Sequence, residues 1–138
     1  MARTEMTKRQ YLNTLDQGKG QTHVKNGKRI LNVRIVKMDD QDPDTSYLDQ
    51  DGWEERKAEY RNSYFDFCGV RAKAEVQFEE NGAIQHLTSP GLWGIETDSD
   101  SAYFADIGRQ ELAELKSILE SAGFSKRAIA KACKGVTL

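Results

Sequence analysis

Residues 64–96, YFDFCGVRAKAEVQFEENGAIQHLTSPGLWGIE, decide the fold. From Val70 to Phe78 the chain alternates. Val70, Ala72, Ala74, Val76 and Phe78 point one way; Arg71, Lys73, Glu75, Gln77 and Glu79 point the other. A period of two is the mark of a strand with one face on a core. Asn81-Gly82 predicts a tight two-residue hairpin turn, whose central positions both need positive φ. The return strand, Ala83 to Thr88, leads into Ser89-Pro90-Gly91 and Leu92-Trp93-Gly94-Ile95. Phe65 and Phe67 fall on the opposite parity to Val70, which predicts either a bulge near Cys68-Gly69 or a second covered face.

Upstream, Arg29 to Met38 reads as the first strand. Leu31, Val33 and Ile35 alternate with Asn32 and Arg34, while Ile30, Val36 and Met38 imply that both faces are partly covered. Asp42-Pro43 ends it. Tyr47 to Asn62 contains a helix, which Gly52 splits into a turn and a segment from Trp53 to Tyr60. Downstream, the short oxygen side chains of residues 97–101 suit the free amides of a helix start. Phe104, Ile107, Leu112, Leu115, Leu119 and Ala122 then form one apolar stripe. Gly123-Phe124 closes that helix, and Ser125 caps a last one to about Lys134. The expected class is α+β: a three-stranded antiparallel sheet with helices packed on one face.

The chain has 138 residues, of which 38% are apolar, enough for one modest core. No run of about 18 apolar residues suggests a membrane span. The first residues lack the apolar segment of a secretory signal, so the expected compartment is the cytosol of the host cell. Charge is sorted along the sequence. Residues 1–37 sum to +7, residues 38–122 to −13 and residues 123–138 to +4. The expected organisation is a basic arm over 1–28, an α+β core over 29–124 and a basic helix or tail over 125–138.

No stretch names a reaction. Cys68 and Cys133 are too few for a disulfide framework or a four-cysteine zinc site. His23 and His86 have no partner at a metal-ligand spacing. Asp49-Gln50-Asp51-Gly52 suggests a calcium loop, but placing Gly52 sixth puts Tyr47 first and Ala58 twelfth, where carboxylates are needed. Glu54-Glu55 and Glu79-Glu80 are adjacent pairs whose side chains diverge. There is no nucleophile elbow and no phosphate-cradling glycine loop. The chain therefore reads as non-enzymatic, with no metal and no cofactor.

Several short runs, Ser46-Tyr47-Leu48, Gly69-Val70-Arg71-Ala72, Ala74-Glu75-Val76, Ser89-Pro90-Gly91-Leu92-Trp93-Gly94-Ile95-Glu96 and Glu111-Leu112, carry a resemblance. With them the segment from Leu48 to Phe124 resembles a group of small uncharacterised proteins found in phages, prophages and mobile elements. The group has no assigned function and brings no catalytic residues to this chain. The resemblance implies a host-directed accessory protein, for instance an anti-CRISPR-like inhibitor of a defence system.

Two binding readings follow. In the first, an acidic surface engages a host protein or ribonucleoprotein complex, through Asp39, Asp40, Asp44, Asp49, Asp51, Glu54, Glu55 and Trp93. Sorted charge speeds and orients such an encounter. In the second, the basic ends bind nucleic acid through Lys8, Arg9, Lys25, Lys28, Lys126, Arg127 and Lys131. Residues 118–129 also resemble the middle of a helix-turn-helix, although Leu119 stands where a small residue would let the helices cross.

Overall fold

The computed structural model describes residues 27–138. In order these form β1 (Lys28–Asp39), a 3-10 turn (Ser46–Asp49), α1 (Glu54–Arg61) and β2 (Phe67–Phe78). Then come β3 (Ile84–Thr88), β4 (Leu92–Glu96), α2 (Ser101–Ser121) and α3 (Lys126–Cys133). The alternating stretch becomes β2, the centre of an antiparallel sheet. β1 pairs along one side of it, and β3 and β4 share the other. The return strand is thus two pieces rather than one. Ser89-Pro90-Gly91 interrupts it, since proline brings no amide to a ladder.

Ala72, Ala74 and Val76 face Leu115 and Leu119 of α2, and Phe124, Ile129 and Cys133 complete this core. The two alanines let the helix approach the sheet closely. Cys68, Val70, Ile95 and Ile107 extend the same layer toward the start of α2. The Asp100 carboxylate accepts from the Tyr103 amide at the start of α2, and the Ser125 hydroxyl accepts from the Ala128 amide at the start of α3. Both caps were legible in the sequence.

The parity puzzle of β1 resolves in a bulge. The β1–β2 register slips by one residue between Leu31 and Arg34, and Asn32 sits at φ 56. Asn is among the few side chains that tolerate this region. The extra residue inverts the alternation, so Ile30 before it and Val33 and Ile35 after it all reach the core. Leu31, expected beside Val33, falls on the other face. The hairpin also differs from expectation. β2 and β3 are joined by residues 79–83, with only Gly82 at positive φ (74). The Asn81 side chain accepts from the Ala83 amide instead of Asn81 entering the left-handed region.

Phe65 and Phe67 use a second covered face. They form a separate cluster with Leu48, Tyr47 and Tyr60, built by the 3-10 turn and α1 on the side of the sheet opposite α2. A register slip between Cys68 and Val70 accompanies it. Helices therefore pack on both sides at the start of β2, and on one side only along the rest.

Candidate functional site

The connection between β1 and β2 is the acidic part of the chain. Residues 39–66 hold ten carboxylates against Arg56, Lys57 and Arg61. Because β1 and β2 are antiparallel, their connection sits at one end of the sheet. β4 finishes at the same end and α2 begins there, adding Glu96, Asp98 and Asp100. At the opposite end lie Lys28 and the start of α3. The Lys28 ammonium donates to the Ala122 carbonyl at the end of α2, where the helix dipole favours a cation.

Arg56 holds the acidic lobe on the sheet. Its guanidinium donates to Glu59, to Glu96 at 2.8 Å and to Asp98 at 2.6 Å. It also lies 3.6 Å above the centre of the Phe65 ring. The hydrogen bonds to Asp98, Glu59 and Glu96 hold the guanidinium charged far above the ordinary range. The same contact holds the Asp98 carboxyl below the usual carboxylate range. The Tyr47 hydroxyl donates to the second Glu96 oxygen. Partial burial, then that carboxylate, pushes the phenol well above its usual pKa. Trp53 packs edge-on against Tyr47, ring centres 5.1 Å apart.

The eight residues expected on an acidic docking surface divide in two. All but the half-buried Asp40 are exposed, and among the described residues the carboxylates of Asp39, Asp51 and Glu55 stand outside the fold's hydrogen bonds and ion pairs. The others serve the fold as well. Asp40 accepts from the Asp42 and Gly94 amides. Asp44 accepts from the Ser46 amide, Asp49 pairs with Lys57 and Glu54 accepts from the Gly52 amide. Trp93 is 41% exposed and lies flat across β2 over Gly69. A Cβ at Gly69 would come within 2.2 Å of the indole, so only glycine allows this placement. The indole N–H donates to the Pro90 carbonyl, and the Arg71 guanidinium stands 5.7 Å from the ring centre.

Of the cationic candidates, Lys8, Arg9 and Lys25 lie outside the described residues. Lys28 opens β1. Lys126, Arg127 and Lys131 are exposed on α3, whose Ile129 and Cys133 are buried in the shared core. Both cysteine thiols are pushed up by burial, away from the thiolate form that reactivity needs.

The sequence reading missed two residues. Arg56 was one cation among many. Glu111 carried a signal: it lies four residues from both Ile107 and Leu115, on the buried stripe of α2. Only 8% exposed, it explains the break between β3 and β4. Its Oε1 accepts from the Ser89 hydroxyl at 2.7 Å and the Gly91 amide at 2.8 Å. The Ser89 oxygen in turn accepts from the Ala72 amide. Proton transfer to solvent substrate is not offered there, because Ser89 is sealed in the core.

An open cleft of about 440 Å³ lies between Tyr60, Ser63, Tyr64, Phe65, Asp66 and Thr97. It holds one carboxylate and no histidine or lysine. Among the described residues, no group of three His, Cys, Asp or Glu side chains could hold a metal. Among them, too, no helix is long and apolar enough to cross a membrane. Comparison of the chain with protein-family models, curated proteins and solved structures found no match.

Proposed function

We propose that this is a non-enzymatic binding protein whose acidic lobe docks on a positively charged surface of a macromolecular partner. The observation that carries the reading is the gathering of ten carboxylates, with three cations, in Asp39 and the single connection that follows it between β1 and β2. Arg56 and Tyr47 fix that connection on the sheet, so its exposed acids are presented without a large ordering cost. A protein or ribonucleoprotein surface built for nucleic acid is the complementary chemistry. The resemblance to mobile-element proteins favours a host defence complex as its owner.

The test is capture with tagged protein from a lysate of the cell that carries the gene, followed by mass spectrometry. The same capture uses the Asp39→Asn, Asp51→Asn, Glu55→Gln triple variant, whose positions are exposed. A discrete complex is expected with the native chain, weakened by salt and lost with the variant. Recovery of nothing at low and moderate salt, or equal recovery by both proteins, overturns the reading.

A further inference from the structure

The second face of the sheet carries charge of the opposite sign to the lobe. Pairing registers place its side chains in rungs: Arg29–Gln77–Ile84, Leu31–Glu75–His86, Arg34–Lys73–Thr88 and Val36–Arg71. The next position is Gly69, roofed by Trp93. Alternation sets all of these opposite Ala72, Ala74 and Val76, which face α2. The face thus holds four permanent cations, Arg29, Arg34, Arg71 and Lys73, together with His86. Within these rungs the one carboxylate, Glu75, is 3.8 Å from Arg34 and accepts from Asn32, and Glu79 follows on the same parity just past the Arg29–Gln77 rung. Arg34, Lys73 and Arg71 stand about 5 to 7 Å apart, the spacing of neighbouring strands and of alternate residues along a strand, and Arg29 lies two rungs further on, about 13 Å away. At one end an exposed indole is flanked by a guanidinium.

We propose that this face binds single-stranded nucleic acid. Phosphates would lie over the Arg34–Lys73 rung and, two rungs further on, at Arg29, and an unpaired base would stack on the Trp93–Arg71 corner. A positively charged track with an aromatic platform is what binds unpaired strands without sequence preference. The proposal goes beyond the acidic-lobe reading and stands without it. Two other occupants fit less well. Residues 1–26 carry five Lys/Arg against Glu5 and Asp16, so they do not complement a basic face. The acidic lobe of a second copy would match the charge, but carboxylates give the exposed indole nothing to stack on.

The experiment is fluorescence anisotropy with labelled oligothymidylate, oligouridylate and a duplex of equal length, in a salt series. Trp93 emission is followed in parallel. Both single strands are expected to bind at low salt, more tightly than the duplex, with emission quenched on binding. A preference between the two strands tells RNA from DNA. The slope of log affinity against log salt should be about −2 for three phosphate contacts. Arg71→Gln/Lys73→Gln should weaken binding about tenfold or more and flatten that slope by about one. Trp93→Leu should cost about fivefold or more and abolish the quench. Arg109→Gln/Lys116→Gln removes two cations from α2, in the layer on the other side of the sheet, and should leave affinity within about twofold.

Absence of single-strand binding at low salt overturns the proposal. So does binding that is insensitive to Arg71→Gln/Lys73→Gln but lost on neutralising Lys126 and Arg127. Self-association that this double variant abolishes, with no oligonucleotide bound, assigns the face to a second copy instead. Equal affinity for polyglutamate overturns the proposal as well. Thermal unfolding of each variant confirms the fold. Loss of the partner complex with strand binding intact, or the reverse, separates failure of the acidic lobe from failure of this face.

Discussion

One strand, β2, builds two unlike faces. On one side Ala72, Ala74 and Val76 are buried under α2 and α3. On the other, Arg71, Lys73, Glu75 and Gln77 stay half-exposed, and only Phe67 and Gly69 at the start are buried, beneath the aromatic lobe and the Trp93 indole. The first face provides stability. The second is loosely committed: its contacts are ion pairs, cation–π contacts and hydrogen bonds across strands, each small in energy. A chain that spends one face on its core is free to vary the other for binding. The charged face and the acidic lobe are the two places where binding is proposed.

The comparison is broken most severely by Leu115→Ala, which opens a void between α2 and Ala72–Ala74. A loss of about 3 kcal/mol is expected in urea unfolding, whereas Lys73→Gln on the opposite face should change stability by less than about 0.5 kcal/mol. Next is Glu111→Ala. It leaves the Ser89 hydroxyl and the Gly91 amide without their acceptor, at about 2 kcal/mol. Hydrogen exchange should then speed up first at residues 89–94.

Arg56→Ala removes three carboxylate contacts and the stack on Phe65. Its partners are partly exposed, so the expected loss is about 1 kcal/mol. It should be local: faster exchange across residues 46–61, with the α2-covered face still protected. Acid should mimic it. The folded pKa of Asp98 lies below its unfolded value. Its stabilisation is therefore complete above the ordinary carboxylate range and is lost as pH falls through the depressed value. The lobe should loosen below about pH 4, and the Asp98→Asn variant should lose that dependence. The smallest effect sharpens the contrast from the buried side. Gly108 is buried within α2, and an added Cβ would meet Leu138 and Ile35 at 3.5–3.7 Å, an ordinary contact. Gly108→Ala should raise stability by up to about 1 kcal/mol.

Much of the frame was legible because it rests on local rules. Alternation from Val70 to Phe78 gave β2, short oxygen side chains gave the caps of α2 and α3, and Gly52 separated turn from helix. What misled was the parity of β1. One inserted residue at Asn32 reverses every side chain beyond it, and no glycine marks a bulge between Leu31 and Arg34. The candidate site was read less well. Summing charge by segment found the acidic stretch, but not that Asp40, Asp44, Asp49 and Glu54 also brace the fold. The cations of the open face were hidden in a strand read only for its apolar half.

From sequence alone come the α+β class, the central strand, the two capped helices and the sorting of charge, since each depends on residues close together in the chain. Only the tertiary structure decided that Glu111 clamps the broken return strand, that Arg56 pins the lobe and that Trp93 lies over Gly69 beside Arg71. Those contacts join residues far apart in sequence. Their partners are chosen by strand register and by the way the layers meet, not by any local preference.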